Sequence, residues 1–452
     1  MERHRRDGRM EQVEAPDMSR SSTIRTAIGL LEGLLRGSDM PNIAIRFWDG
    51  SVWRLREDRR PEAMLVLRHE DSLSRLLRFP IQLSAGEAYI YDDIDIVGPI
   101  ETVLPIADRL IARRWSAMEL IRCLAFTWRQ RRLRRVPEET RALFLQGRPH
   151  EKRRDKDAVR FHYDVPVEFY RLWLDNRLIY SCGYFRSEQD GLEDAQSQKL
   201  EYLCRKLRLK PGDRVLDIGC GWGGFAIYAS QAHGAIVHGI TLSRRQAEVA
   251  NQTIAARGLS QRCRIEVRDF RDVQGESLYD TIVSIGMIEH VGRTQLGPYY
   301  ERALRLLAPG GVFLNQGIGT RDGEPKLGPF ANRYVFPDAE LPPIDEVVSA
   351  AERSGFDVRD VESLREHYAL TLNAWRQRLE ERRTEAVRIV GDVTYRVWRL
   401  YLAMAAHYFR RGKLGLYHTL CAKPIDGRTG LPLTREDWYR PFPVSGTQKQ
   451  AA

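Results

Sequence analysis

From about residue 158 onward, short apolar runs alternate with longer stretches whose apolar residues recur every three to four positions. That is the pattern of strands separated by helices. Strands are predicted at 214–218, 236–240, 263–268, 279–286, 311–317, 361–364 and 414–421, with long helices near 367–385 and 391–411 and a helical insert at about 320–360. Strict strand–helix alternation predicts a parallel α/β sheet, and the run before Ala422-Lys423-Pro424 would close it. Residues 24–135 read differently, as a compact α+β region. There 42–47 and 52–55 form a predicted hairpin across W-D-G-S, 63–67 a further strand, and apolar alternation follows Gly86. Residues 1–20 are polar and charged, which predicts disorder, and 136–157, containing H-E-K-R-R-D-K-D, reads as a linker.

The stretch R-V-L-D-I-G-C-G-W-G-G (214–224) organises the α/β half. An apolar run with one acidic residue ends in glycines and passes into an amphipathic segment. This reads as strand, tight turn and helix N-terminus, where backbone approaches a ligand closely. The spacing of Gly219, Gly221 and Gly224 satisfies the dinucleotide fingerprint, which also asks for an acid at the end of the next strand. Here that strand runs into Thr241-Leu242-Ser243 and offers none. The V-L-D-x-G-x-G-x-G turn instead resembles that of S-adenosylmethionine-dependent methyltransferases, with Asp217 inside the strand. A glycine turn with a purely structural role is the bland alternative.

The 452 residues suffice for two or three domains, and the formal charge of +10 favours anionic partners, either nucleic acid or acidic lipid. No apolar run approaches the ~18 residues that cross a bilayer, and the charged N-terminus has no apolar core of a secretory signal. Cys123, Cys182, Cys204, Cys220, Cys263 and Cys421 lack metal-type or C-x-x-C spacing, so reduced thiols and no metal site are expected. These features point to a cytoplasmic protein whose membrane contact is peripheral, at the inner face. The amphipathic stretch 116–135, ending W-R-Q-R-R-L-R-R, is either a solvated helix face or a contact for lipid phosphates.

Further motifs flank the glycine turn: F-H-Y-D-V-P-V-E-F-Y-R-L-W-L-D-N-R-L-I-Y-S-C-G-Y-F (161–185), G-I-T-L-S-R-R-Q (239–246), S-I-G-M-I-E-H-V-G (284–292), Y-V-F-P (334–337) and E-H-Y-A-L-T-L-N-A-W (366–375). Together, over about 161–423, they resemble the cyclopropane-fatty-acyl-phospholipid synthase and mycolic acid cyclopropane synthase family. The resemblance implies attack of an acyl-chain double bond on the methyl group of S-adenosylmethionine, a carbocation, and proton loss to bound bicarbonate that closes a three-membered ring. It implies that Cys182 and Ile318, through backbone, and Glu289 and Tyr368, through side chains, hold the bicarbonate. A tyrosine there adds a hydroxyl and a ring face that stabilises positive charge. Implied cofactor contacts are Tyr180, Ser181, the run 215–223 (Val215, Asp217, Gly219, Cys220, Gly221 and Gly223), Thr241, Leu242, Gln246, Phe270 and Arg271. Core packing is the bland alternative for Tyr180 and Phe270, as capping is for Thr241 and Gln246.

One position departs from the family pattern. F-L-N-Q-G-I-G places Gln316 where the family commonly has His. An amide can hydrogen-bond bicarbonate but cannot share a proton near neutral pH, so the deprotonation step is the one put in question. His290 follows Glu289, but neighbours on a strand end point apart, which favours packing. Cys421 matches a cysteine that some relatives carry as a proposed active-site residue, and Lys423 nearby could lower its pKa; the mechanism needs no covalent nucleophile. Trp398, Tyr401 and Phe409 fit an acyl tunnel or plain core equally.

The expected architecture is α/β: a Rossmann-like, seven-stranded class I methyltransferase sheet with a helical substrate cover (158–452), after a small α+β domain (21–135) resembling a sterol-carrier-like lipid-binding module. The expected activity is cyclopropanation of unsaturated phospholipid acyl chains at a membrane surface, with a homodimer as an expected assembly and no nucleic-acid partner. An acyl methyltransferase giving branched or methylene products is the alternative within the enzyme class, and a non-catalytic lipid-binding protein the one outside it. No N/D-P-P-Y-type tetrapeptide follows the fourth strand to favour a nucleic-acid methyltransferase.

Overall fold

The computed structural model describes residues 22–35, 41–112, 115–129, 147–163, 165–321 and 327–439. The tail 1–20, part of the stretch read as a linker, and 130–135 of the basic run lie outside them. Two compact units divide the chain, Met1–Thr140 and Arg141–Ala452.

In the first unit, β1 (Ile43–Arg46), β2 (Val52–Arg54), β3 (Ala63–Leu67) and β4 (Ile94–Val97) form a sheet of order β2-β1-β3-β4. The β1–β2 pair is the expected hairpin, its turn fixed by Asp49 Oδ1, which accepts from Ser51 N at 2.9 Å and Ser51 Oγ at 2.7 Å. β1 is parallel to β3, and β4 returns antiparallel to β3. The segment through Gly86, whose alternation suggested a strand, is the helix Ile81–Ile90; the alternation that forms β4 begins only at Ile94. Beyond it lie helices Leu104–Ala112 and Ala117–Arg129.

The second unit holds a seven-stranded sheet, β10-β11-β9-β8-β5-β6-β7, built from β5 (Arg214–Ile218), β6 (Ile236–Thr241), β7 (Cys263–Val267), β8 (Tyr279–Ile285), β9 (Leu307–Thr320), β10 (Asp357–Ser363) and β11 (Leu414–Ala422). β11 runs antiparallel to both neighbours. The central strands β5, β6, β8 and β9 pair in parallel, and β7 joins them at the edge. This is the seven-stranded α/β fold expected. β9 starts earlier than expected because Pro309-Gly310-Gly311, a turn signal in sequence, is carried in the strand by a register shift opposite Tyr279/Thr281. β10 starts earlier too, its charged residues being paired from beneath: the fully buried Lys206 amine donates to Asp360 at 2.9 Å and to Glu362 at 2.8 Å.

The expected linker is instead helical from Lys152 to Tyr163. Its charges are engaged with the rest of the unit: Arg154 Nη2 donates to Asp338 Oδ1 at 2.8 Å, and Asp155 accepts from Arg271 Nη1 at 2.9 Å. The two long helices meet at Arg382, as Arg365–Glu381 and Arg383–Arg410; the gap foreseen around 386–390 shrinks to a kink at Gly391 (φ 79°). The insert expected to be helical contains Pro329–Tyr334 and Ile344–Arg353, and then turns into β10.

Apolar residues of Leu192–Lys206, Gly224–His233 and Arg244–Ala256 pack one face of the sheet, and those of Leu296–Leu306 and Ile344–Arg353 pack the other. A third core joins 165–182 to the two long helices, centred on the fully buried Trp173, Trp375 and Trp398. It is the cover over the carboxyl ends of the central strands.

Candidate active site

β5 ends in the glycine turn as the sequence implied. Gly219 and Gly223 lie at φ 73° and 82°, a backbone region that side chains disfavour. The amides of Gly219 and Cys220 both donate to Ile240 O at 3.0 Å, tying the turn to the end of β6. At Gly224, where helix Gly224–His233 begins, an added Cβ would lie 2.8 Å from Ile179 Cγ1, so the turn admits no side chain there.

A cavity of about 520 Å³ opens over this turn at the carboxyl ends of β5, β6 and β8. Parallel α/β sheets bind ligands at this position, and the size suits a cofactor. Tyr180, Ser181, Asp217, Gly219, Cys220, Gly221, Thr241, Leu242, Gln246, Phe270 and Arg271 line it. Val215 and Gly223 do not: Val215 is fully buried in the core, and Gly223 faces Ala250 and Ile227 behind the turn. A strand alternates its faces, so a contiguous run could not all reach the ligand. The cap of helix Arg244–Ala256 is Ser243, leaving buried Thr241 to donate to Gln246 Oε1 at 2.7 Å in the cavity wall. Arg271 is held by Asp269 (Nη2 to Oδ2, 2.7 Å) and by Asp155, so its charge is compensated within the wall.

Sequence reasoning missed Asp269, Asp155, Tyr163, His290 and Lys199, all of which line the cavity. Asp269 had a legible signal, as an acid directly before Phe270-Arg271. Lys199 had none: no local motif marks it until the fold buries it, with Nζ donating to Ser181 Oγ at 3.0 Å.

A second constellation surrounds Glu289. Residues 288–290 form a 3-10 turn, not the strand end assumed for His290, which consequently lines the cavity; burial lowers its pKa to about 4. Glu289 is 6% exposed. Its Oε1 accepts from Ile318 N at 2.7 Å, and its Oε2 is buried with no partner. Burial raises its pKa to about 7, and the Ile318 amide only partly offsets this. The Ile318 amide is therefore engaged by Glu289 itself, not pointed at a separate anion.

Tyr368 packs on Phe409 and Trp375 at ring separations of 4.8 and 6.1 Å. Burial holds its hydroxyl well above the usual range, reinforced by the charges of Tyr401, Cys182, Glu289 and Tyr163. Cys182, Glu289, Ile318 and Tyr368 are not among the residues that line the cavity. Cys182 is buried, its thiol donating to Gly183 O at 3.1 Å and pushed up in pKa by burial. Tyr180 lies 5.5, 5.2 and 6.0 Å from Trp173, Trp375 and Trp398, and Tyr401 lies 6.0 Å from Trp398. Ring faces stabilise cations, and a buried acid half-ionised near pH 7 can exchange a proton. Trp398 and Phe409 are both buried in this core.

Two other expected residues are placed differently. Gln316 Oε1 accepts from His418 Nε2 at 2.9 Å across the β9–β11 pair. His418 is fully buried, its pKa well below the usual imidazole range because burial and Lys206 disfavour its charge. Cys421 is fully buried among residues such as Phe313, Tyr300 and Phe356, and lines no part of the cavity. Burial pushes its thiol up, and Lys423, which was expected to lower it, donates instead to Leu304 O at 2.9 Å and Leu307 O at 2.7 Å.

The sheet order, the glycine turn and the cavity define an S-adenosylmethionine-dependent methyltransferase of class I fold. The family is narrower: a model of mycolic acid cyclopropane synthetases matches residues 150–419, and the chain belongs to that family. A domain of unknown function matches residues 30–110. A "Probable fatty acid methyltransferase" of Pseudomonas putida is 38% identical over 88% of this chain and 96% of its own length. The cyclopropane-fatty-acyl-phospholipid synthase of Escherichia coli is 34% identical over 61% of this chain and 69% of its own. Among solved structures, the cyclopropane synthase MmaA2 from Mycobacterium tuberculosis superposes with a TM-score of 0.56 at 32% identity, covering 59% of this chain and 97% of that one. The mycolic acid cyclopropane synthase CmaA1, complexed with SAH and CTAB, gives 0.55 at 32% identity over the same shares. The protein is thus an enzyme of lipid methyl or methylene transfer.

Proposed function

We propose that the enzyme adds a methylene unit from S-adenosylmethionine to the cis double bond of unsaturated phospholipid acyl chains, forming a cyclopropane. The π-bond would bond to the sulfonium methyl as the S–C bond breaks, leaving a carbocation on the chain. Loss of a proton from the new methyl then closes the ring. The observation that carries this reading is Glu289, buried with a free Oε2 and close enough to act electrostatically on Tyr368, which itself packs among aromatic rings. Such rings tolerate the cation and exclude water, which would otherwise trap it as an alcohol. The family resemblance places bicarbonate at Cys182, Glu289 and Tyr368, and when bound there it would supply the base. Glu289 near its pKa orients such an anion by donating or accepting one hydrogen bond.

A second reading, a methyl-branched or methylene product, is favoured by the Gln316–His418 pair. The neutral imidazole is drawn to the amide, so position 316 brings no proton acceptor of its own. The Pseudomonas relative's name fits either product.

Lipid approach falls to the first unit. Helix Ala117–Arg129 buries Cys123 and Phe126 but exposes Met118, Ile121, Leu124 and Trp128 along one stripe, Trp128 to 74%. Phe79, half exposed and edge-on to Trp115 at 5.6 Å, follows the exposed Arg78. Apolar anchors with cations beside them suit an anionic bilayer surface. No helix among the described residues is long and apolar enough to cross a membrane.

The test is mass-spectrometric lipid profiling of a host making cis-monounsaturated phospholipids, with and without the enzyme. Gain of one CH₂ with loss of the olefin supports cyclopropanation. Gain of one CH₂ with the olefin kept, or a branched chain, supports the second reading. Unchanged lipids from a folded, cofactor-binding enzyme would refute both.

A further inference from the structure

Between Tyr180 and Phe185 the chain belongs to no strand, yet its backbone amides alternate in direction as a strand's do. The Tyr184 amide donates to Ala195 O at 2.9 Å, on helix Leu192–Lys206. Those of Gly183 and Phe185 donate to helix Arg365–Glu381 instead, the first to Thr371 Oγ1 and the second to His367 Nδ1, each at 3.0 Å. The segment is thus a seam between two helices. On the Leu192–Lys206 side it is also held by Gln196, whose Nε2 donates to Ser181 O at 2.8 Å, and by Lys199, whose Nζ donates to Ser181 Oγ. Gly183 lets the chain lie close there, since an added Cβ would stand 3.1 Å from Ala195 Cβ.

On the other side two side chains do the holding, and both are prepared to accept. Thr371 is fully buried, and its hydroxyl proton goes to His367 O at 2.7 Å; the 4.0 Å contact to Cys182 Sγ is too long to compete for it. The oxygen is left to accept from Gly183. His367 stacks on Tyr184 at 4.8 Å and 11°. Burial lowers its pKa against the pull of Glu362 and Glu366, so the ring stays neutral and Nδ1 can accept. Positions 367 and 371 share one helix face, with Tyr368 beside them three residues before Thr371. A buried amide robbed of its acceptor is costly, so these two bonds hold the seam firmly.

Two parts of the site meet across this seam. Tyr180 and Ser181 line the cofactor cavity, whereas Tyr368 belongs to the helix opposite and does not. We propose that Thr371 and His367 are positioning residues for methyl transfer: they clamp segment 180–185 to helix Arg365–Glu381 and so set the separation between the cofactor's wall and Tyr368. Neither has contact with the reacting atoms on this reading. A misplacement of ~1 Å can cost a reaction ~100-fold, while the cofactor's wall keeps its own ties to helix Leu192–Lys206. The inference rests on the proposed acyl methyl transfer and on the place of Tyr368 in it.

The test is single-turnover methyl transfer by the full chain to vesicles of dioleoyl phosphatidylethanolamine and phosphatidylglycerol, with S-adenosylhomocysteine affinity measured by calorimetry on the same preparations. T371V matches threonine in shape but cannot accept a hydrogen bond. It should transfer at least ~30-fold more slowly, with S-adenosylhomocysteine bound within ~3-fold of wild type. T371S restores the oxygen and should stay within ~3-fold of wild type in both measurements. H367F, at a partly exposed position, keeps a ring over Tyr184 and loses the acceptor, and should behave as T371V does. Transfer within ~3-fold of wild type in both T371V and H367F, no recovery in T371S, or a parallel loss of S-adenosylhomocysteine binding in variants that melt like wild type, would overturn the proposal. A wild type that binds S-adenosylhomocysteine but transfers no methyl group would instead overturn the proposed function, and the clamp's role with it.

Discussion

Glu289 makes a prediction in which stability and activity move in opposite directions. Burial raises its pKa from 4.5 to about 7, so at ~1.4 kcal/mol per pH unit, ionising it inside the free protein costs on the order of 3 kcal/mol. A carboxyl whose folded pKa exceeds its unfolded one binds its proton more tightly in the native state. Its contribution to stability is whole below about pH 4.5 and is lost as pH rises through about 7. Glu289→Gln keeps an oxygen to accept from Ile318 N but cannot ionise. Relative to wild type, the variant should gain on the order of 3 kcal/mol between pH 5 and pH 8.5, or about 5 °C in Tm for a unit of this size. Other groups, such as Asp217, titrate alike in both proteins and cancel. At pH 7.5 the same variant should lose at least ~100-fold in kcat while binding S-adenosylhomocysteine normally. Differential scanning fluorimetry at the two pH values, with single-turnover methyl transfer, measures all three. A Tm difference that is flat or of opposite sign across that range would refute the buried, half-ionised carboxyl, and a variant retaining a tenth of wild-type kcat would refute its catalytic place.

Three further outcomes follow from packing and charge. Gly224→Ala forces Ile179 and the helix start apart, since the new Cβ would meet Ile179 Cγ1 at 2.8 Å; S-adenosylhomocysteine affinity should fall ~10-fold or more by calorimetry, with the fold retained by circular dichroism. Lys206→Met leaves Asp360 and Glu362 without their buried cation and should cost ~3–5 kcal/mol in urea unfolding. Cys421→Ala, at a buried position that lines no part of the cavity, should keep kcat within ~2-fold of wild type and show only a modest loss of Tm; a collapse in kcat without loss of fold would return Cys421 to the mechanism.

What the sequence disclosed of the fold follows from where polar groups are hidden. β5, β6 and β8 sit mid-sheet, covered on both faces, so their apolar runs stand out and glycine turns bound them. β10 is an edge strand whose Asp360 and Glu362 answer the buried Lys206, a residue more than 150 positions away, and its charges obscured the first half of its length. Helix Lys152–Tyr163 was illegible for the same reason: its charges looked like a solvated linker because Asp338, Asp272 and Arg271, which engage them, lie far along the chain. Local composition reports that a charge exists, not whether the fold supplies its partner.

The site divides along the same line. Motif residues on the glycine turn, Gly223 excepted, reach the cavity because backbone geometry puts them there. Gln316 shows the opposite case. Its identity indicated an amide where an acid–base group was expected, but the orientation of that amide is set by His418, 102 positions later on the neighbouring strand. With the imidazole neutral and donating through Nε2, the amide oxygen is committed to it, and only the amide N–H groups are left to offer another ligand. Position 316 can therefore help hold an anion but cannot take its proton. Glu289, by contrast, is buried with a free Oε2 and a pKa raised to about 7, so on the proposed reading the product-determining proton would pass to it or to an anion it holds.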